Sequence, residues 1–322
     1  MQLVINSYGS FLKKQNNCFL VKKDDDVFEV SANKVQSILI STSSTITTDA
    51  IEFAIENNID IVFLNKFGYP FGRVWHSKLG STTLIRRRQI EIANTQKGIE
   101  MAKSWIDIKL ANQISLLKDL KKNRADKKEF IDENIRIIGN MQADLSELKG
   151  TLDEIRNNIM GLEGMSSRAY FDAISYSLPD RWSFSGRSRQ PATDGFNCML
   201  NYGYGVLYSI VEKACIIAGL DPYVGFLHTD NYNKKSLVFD LIEMYRIYVD
   251  RSVIFLFSKK KVKDTFFDTI PNGLTLNKEG KVLLIESLNI SLDNKIPYNG
   301  RNVKVRNVIQ HDLHKIANSL IK

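Results

Sequence analysis

The segment GFNCMLNYGYGVLYSIVEKACIIAGL, residues 195 to 220, limits the architecture of this chain more than any other. It is apolar on nearly every side for roughly seven helical turns, and a helix of that kind has to be surrounded by other elements instead of lying on a surface. A buried central helix is expected, ended by Gly219 just before Asp221-Pro222. Gly203 and Gly205 allow close helix contact, and Tyr202, Tyr204 and Tyr208 read as packing residues more than as ligands.

The chain before this segment changes character once. Leu3 to Ile5, Cys18 to Val21, Val27 to Val30 and Val35 to Ile40 are apolar or alternating runs broken by Tyr8-Gly9, Asn16-Asn17 and Asp24-Asp25-Asp26. Strands this short and consecutive suggest a meander. Thr48 is expected to cap a brief helix with Ile51, Ala54 and Ile55 on one face, followed by a strand from Ile59 to Leu64 and another around Arg73 to Trp75. From Ser81 to Asn158 there is no proline, and Ile90, Ala93, Ile99, Ala102, Ile106 and Leu110 predict one long helix from near Leu84. The charged stretch Lys127 to Asn158 predicts an antiparallel helical pair; its heptad-like spacing also allows a coiled coil, which Gly139 and Gly150 disfavour. A further helix should carry Glu163 near its start, bury Ala169, Phe171 and Ile174, and end before Pro179. The expected fold is a small β-rich N-terminal domain over residues 1–80, a short-strand meander or sandwich with one helix, followed by a larger all-α catalytic domain over 81–322.

No apolar run approaches the roughly 18 residues needed to cross a bilayer, and the N-terminus lacks a basic start followed by an apolar signal stretch. A cytoplasmic protein is expected. Cys18, Cys198 and Cys215 are odd in number and widely spaced, which argues against a disulfide framework or a zinc-thiolate site. The formal charge of +8 favours polyanionic partners, although a Lys-, Asn- and Ile-rich background composition produces the same excess.

Chemistry concentrates in GLDPYVGFLHTDNYNKKSLVFDLIEMYRIYVD, residues 219 to 250. His228 sits in a loop, and after the turn-prone Asp230 to Asn233 a helical pattern carries Asp240, Glu243 and Arg246 at successive i, i+3 steps, on one face. A neutral imidazole with carboxylates from a following helix suits a hard or borderline divalent cation, and the arginine can orient a carboxylate or meet a phosphate. Spacing alone equally allows a buried, satisfied histidine beside an ordinary helix. The loop DRWSFSGRSRQPATD interleaves Arg181, Arg187 and Arg189 with Trp182 and Phe184, as a nucleic-acid channel would, or as a solvated polar loop would. Lys259, Lys260, Lys261 and Lys263 form a basic run open to the same two readings. His311 and His314 stand at i, i+3 on the last helix and read as surface residues.

In order along the chain, DIVFLNKFGYPFG (60 to 72), AKSWIDIKLANQISLL (102 to 117), GLEGMSSRAYF (161 to 171), NCMLNYGYGVLY (197 to 208) and GLDPYVGFLHTDNYNKKSLVFDLIEMYRIYVDR (219 to 251) resemble the universal CRISPR adaptation integrase family, DNA integrase-endonucleases that insert new spacers into CRISPR arrays. The resemblance covers nearly the whole length. Gly-Met-Ser-Ser after Glu163, Gln190-Pro191-Ala192 and Asn201 depart from the usual family pattern, and none of them is a proposed ligand.

The resemblance implies that Glu163, His228 and Glu243 hold Mn²⁺ or Mg²⁺, with Asp240 close to the metal as a supporting or occasional ligand. It implies transesterification, in which a 3′-OH of a short DNA duplex attacks a phosphodiester at the edge of a repeat; reversal, or attack by water, would give nuclease activity. It also implies a β-rich domain that forms a homodimer, and two such dimers bridged by a small dimeric partner protein. Arg187, Arg189, Arg246 and Lys259 to Lys261 are the candidates for contact with double-stranded DNA. A general metal-dependent nuclease, a mobile-element integrase or a non-catalytic DNA-binding scaffold on the same framework remain the rival readings.

Overall fold

Short alternating runs in the first 74 residues become eight strands: β1 (Gln2–Ile5), β2 (Ser10–Gln15), β3 (Cys18–Lys23), β4 (Asp26–Ser31), β5 (Ser37–Ile40), β6 (Ser44–Ile46), β7 (Asp60–Leu64) and β8 (Pro70–Val74), with α1 (Thr48–Glu56) between β6 and β7. The structure is a computed structural model and describes residues 2–68, 70–75, 83–189, 191–228 and 234–322. The strands make two four-stranded sheets, in the orders β4-β3-β2-β6 and β1-β5-β7-β8. The expected meander is present in β2-β3-β4, which pair antiparallel. The second sheet is different: β1, β5 and β7 run parallel, joined by crossovers through the first sheet and α1. Such strands are covered on both faces, which explains why β5, Ser-Ile-Leu-Ile, is buried at every position. Ile38, Ile40 and Ile61 point into a core with Leu12, Phe19 and Phe53, while Leu39, Val62 and Leu64 point the other way, into the core of the helices.

The cap of α1 is Thr47, not Thr48: Thr47 has extended backbone and its side chain accepts from the Ala50 N–H, which places Thr48 inside the first turn. Neither β2 nor β6 was legible in sequence. β2 ends in Lys-Lys-Gln and β6 is only Ser-Thr-Ile, and each is defined by its neighbours in the sheet.

The helical part comprises α2 (Thr83–Ala93), α3 (Gln96–Lys121), α4 (Lys128–Glu147), α5 (Leu152–Ser177), α6 (Gly195–Ala218), α7 (Ser236–Ile242), α8 (Arg246–Ser258), the hairpin β9 (Phe267–Ile270) and β10 (Gly273–Leu276), α9 (Lys278–Asp293), the hairpin β11 (Lys295–Tyr298) and β12 (Arg301–Lys304), and α10 (Val305–Leu320). The single helix expected from Leu84 is two. The chain turns at Asn94 and Thr95, and the elbow is so tight that a Cβ on Gly98 would lie 2.5 Å from the Ile92 carbonyl oxygen. Helices α3, α4 and α5 follow one another through short connections and pack side by side as an antiparallel bundle. Glu163 lies near the middle of α5 and not near its start, because the Thr151–Glu154 capping box begins that helix well before Gly161.

Helix α6 is buried along nearly its whole length, as its composition requires, and ends at Gly219 with φ +84°. Gly203 lets α8 approach: a Cβ there would meet Val249 Cγ1 at 2.5 Å. The two hairpins are additions to the all-helical expectation. The expected domain boundary near residue 80 falls outside the described residues. Among the described residues no helix is long and apolar enough to cross a membrane.

Candidate active site

Asp240 is almost completely buried on α7, and it organises the loop that precedes the helix. Its Oδ2 accepts the backbone N–H groups of Phe226 (2.7 Å) and Leu227 (3.1 Å), and its Oδ1 accepts the N–H of His228 (3.0 Å) and meets His228 Nδ1 at 2.6 Å. Gly225 makes this turn feasible, since a Cβ there would lie 2.6 Å from the His228 carbonyl oxygen. Burial of the imidazole disfavours its charge, but the hydrogen bond and charge of Asp240 outweigh that and raise the His228 pKa. With Nδ1 directed at Asp240, Nε2 is the nitrogen left to bind elsewhere. The turn-prone stretch Asp230 to Asn233 lies outside the described residues.

The chain then changes pitch. Between α7 and α8 a 3-10 turn spans Glu243–Tyr245, and Asn112 on α3 donates to the Met244 carbonyl (3.0 Å), pinning that turn against α3. Asp240 therefore serves the histidine loop, whereas Glu243 meets Arg246 and Lys109. Arg246 Nε donates to Glu243 Oε1 (2.9 Å) while its Nη2 stands in ionic contact with the same oxygen (2.7 Å), and Lys109 Nζ lies 2.6 Å from Glu243 Oε2. That last approach is off the directions of a hydrogen bond, leaving Oε2 buried with an ionic neighbour but no hydrogen-bond donor among the described residues. The same ammonium donates to Glu163 Oε1, which also accepts from Ser167 Oγ (2.9 Å). Lys109 and Glu243 are each 8% exposed in their side chains and Glu163 is 29% exposed. Burial pushes the Glu243 pKa up, but Arg246 and Lys109 overcome it and hold the group at about 2, so it is ionised throughout the neutral range. The pKa of Lys109 is pulled down by burial and raised on balance by Glu243 and Glu163.

These groups line one wall of a cleft of about 1180 Å³, shared with His228, Arg168, Arg187 and Arg189. Arg187 is occupied within the protein. Its guanidinium donates to Asn197 and to Asn201 (2.7 Å) and lies over the rings of Phe171 and Tyr204. Asn201 returns hydrogen bonds to the carbonyls of Ser188 (3.0 Å) and Arg189 (2.6 Å), fixing the arginine-bearing loop. Behind the wall, the buried Asp250 accepts from Tyr170 (2.8 Å) and Tyr204 (2.6 Å), and Arg246 lies over the Tyr204 ring at 4.5 Å. Arg168 and Arg189 are exposed and have no side-chain partner among the described residues. Lys259, Lys260 and Lys261 are exposed at the far end of α8, roughly 18 Å of helix from Arg246, so the structure does not bring them into this cluster.

The sequence matches the family model for CRISPR associated protein Cas1 over residues 3–289. This chain belongs to the Cas1 family. It is similar to the CRISPR-associated endonuclease Cas1 1 of Archaeoglobus fulgidus, with 35% identity over 96% of this chain and 93% of that relative. Among solved structures it is similar to a Cas1 protein from Thermotoga maritima (25% identity, TM-score 0.83, covering 100% of this chain and 97% of the other). It also shares the fold of a casposase bound to its integration product (24% identity, TM-score 0.86, covering 99% and 90%). The β-rich N-terminal part followed by a mostly helical part is the Cas1 architecture.

For a Cas1 chain the question is whether this wall fits a divalent cation. Its donors are of the right kind: an orphaned buried oxygen on Glu243, a second carboxylate on Glu163 open to the cleft, and an imidazole whose free nitrogen is fixed by Asp240. Among the described residues, however, no three His, Cys, Asp or Glu side chains stand close enough together to ligate one ion, and the space between the two glutamates holds the Lys109 ammonium. Sequence reasoning missed Lys109 and Arg168 as members of this site. For Lys109 a signal was available: it falls on the buried stripe Ala102, Ile106, Lys109, Gln113 of α3, where an unpaired lysine would not be tolerated.

Proposed function

We propose that this chain is a metal-dependent DNA integrase and endonuclease of CRISPR adaptation, joining 3′-OH ends of a short duplex to phosphodiesters at repeat edges by transesterification. The observation that carries the reading is that Glu163, Glu243 and His228, from three separate segments, line one and the same cleft in a Cas1-family chain. The name of the Archaeoglobus relative, an endonuclease, and the integration product held by the casposase of the same fold support it.

Glu163, Glu243 and His228 Nε2 would hold Mn²⁺ or Mg²⁺. Such an ion supplies Lewis-acid polarisation of the scissile phosphate and favours ionisation of the attacking hydroxyl. The remaining work falls to the chain. Asp240 keeps the imidazole in one orientation and leaves Nε2 to bind, and Arg246 keeps Glu243 ionised and aimed. Arg168 and Arg189, with guanidinium groups not engaged by described residues, would pair with DNA phosphates and align the duplex in the cleft. Arg187 would act by setting the shape of the loop that carries Arg189. A homodimer formed through the β-rich part, a small dimeric Cas2-type partner and action in the cytoplasm complete the proposal.

The test is incubation with Mn²⁺, a supercoiled plasmid and a short duplex labelled at its 3′-OH ends. Wild type should join label to plasmid, and Glu163→Ala and His228→Ala should lose joining by about a hundredfold or more while still binding DNA. Variants that join label as well as wild type would leave the non-catalytic scaffold as the better reading.

A further inference from the structure

Among the described residues, Lys109 is the one cation that contacts both glutamates of the proposed metal site. Its ammonium carries three donors and no acceptor; it donates to Glu163 Oε1 and lies in ionic contact with the flank of Glu243 Oε2. The other oxygen of Glu243 is held by a hydrogen bond from Arg246 Nε and an ionic contact with its Nη2, so Oε2 is the oxygen Glu243 can offer to a ligand. It is also the one Lys109 occupies. The arrangement is anchored: one turn after Lys109 on the same helix, Asn112 bonds the Met244 carbonyl and fixes the turn bearing Glu243 opposite the ammonium.

We propose that Lys109 is a built-in competitor for the divalent-cation site, holding Glu163 and Glu243 together until its ammonium is displaced into the cleft. The inference rests on the metal reading above and deepens it. Two carboxylates on a buried wall repel each other unless a cation lies between them, and the lysine supplies that cation. A dication drawing on the same oxygens would stand within a few Å of the ammonium, where the protein interior weakens their repulsion far less than water does. Both cannot remain. The four-carbon stem gives the ammonium somewhere to go, because Lys109 lines the cleft. Metal affinity is then the difference between binding the metal and releasing the lysine, and it is lower than the donor set alone would give.

The decisive measurement is calorimetric titration of the full-length protein with Mn²⁺ alone, for wild type, Lys109→Met, Lys109→Gln and Lys109→Arg, with thermal unfolding of each with and without Mn²⁺. Removing the charge should lower the melting temperature without metal, tighten Mn²⁺ binding by about tenfold or more, and enlarge the stabilisation that Mn²⁺ confers. Lys109→Gln, which keeps a polar contact and spares the fold if methionine does not, should behave alike, and Lys109→Arg should stay within about threefold of wild type because it keeps the charge. A merely structural lysine predicts the opposite, since loosening the two glutamates would weaken Mn²⁺ binding. Wild-type binding that is unchanged or weakened in Lys109→Met and Lys109→Gln overturns this proposal and leaves the metal reading intact. Absence of Mn²⁺ binding by every protein overturns both.

Discussion

Four donors converge on the Asp240 carboxylate, three from the backbone of Phe226 to His228 and one from the imidazole. Asp240→Ala would strand buried N–H groups that have no other acceptor among the described residues, at a cost of on the order of 3 kcal/mol. Urea unfolding should show that loss, and amide exchange at residues 226–228 should accelerate far more than at α6. A loss below about 0.5 kcal/mol, the size of an ordinary surface change, would mean that Asp240 does not hold the loop. The contrast with Glu243 shows how much of the site was legible at this scale. Residue type and spacing marked out His228, Asp240, Glu243 and Arg246, but i, i+3 spacing put three groups on one face without saying that Asp240 turns back to its own loop while Glu243 turns to α3. Partners far along the chain, such as Lys109 for Glu163, leave no mark in local sequence beyond a charge in an apolar stripe.

At the scale of elements, composition fixed α6 as a buried helix because no other arrangement covers an all-apolar cylinder, and Gly219 ended it as expected. Boundaries set by tertiary contact were less legible. The elbow between α2 and α3 and the 3-10 turn between α7 and α8 interrupt patterns that are locally good helix, and the four-residue strands of the two hairpins are too short for a period to register. Close approach of α6 and α8 at Gly203 gives an element-scale prediction. The Cβ of Gly203→Ala would collide with a Val249 methyl that cannot rotate freely, costing about 1 to 3 kcal/mol despite alanine's higher helix propensity. Val249→Ala removes the methyl, so a double-mutant cycle should show the pair less destabilised than the sum of the singles by about 1 kcal/mol or more. Strict additivity would contradict the contact.

The whole molecule joins a sheet to a helical body through charge as well as apolar packing. Asp60 on β7 meets Arg73 of β8 (3.1 Å) and Lys213 of α6 (2.8 Å), and Glu212 of α6 meets Arg73 (3.2 Å) and Lys235 (2.5 Å), just before the helix that carries Asp240. Both carboxylates are nearly inaccessible, so each needs its cations in place. The sheet is thereby tied to the wall of the cleft, a relation between distant segments that a single sequence does not display. The measurement that tests the central claim most directly compares two labelled duplexes in the presence of Mn²⁺ and supercoiled plasmid, one ending in 3′-OH and the other in 3′-deoxy termini. If the cleft catalyses transesterification, wild type joins the first duplex to plasmid and not the second, although it binds both. Plasmid nicked equally in both reactions with no label joined would contradict strand transfer and make hydrolysis the chemistry of this site.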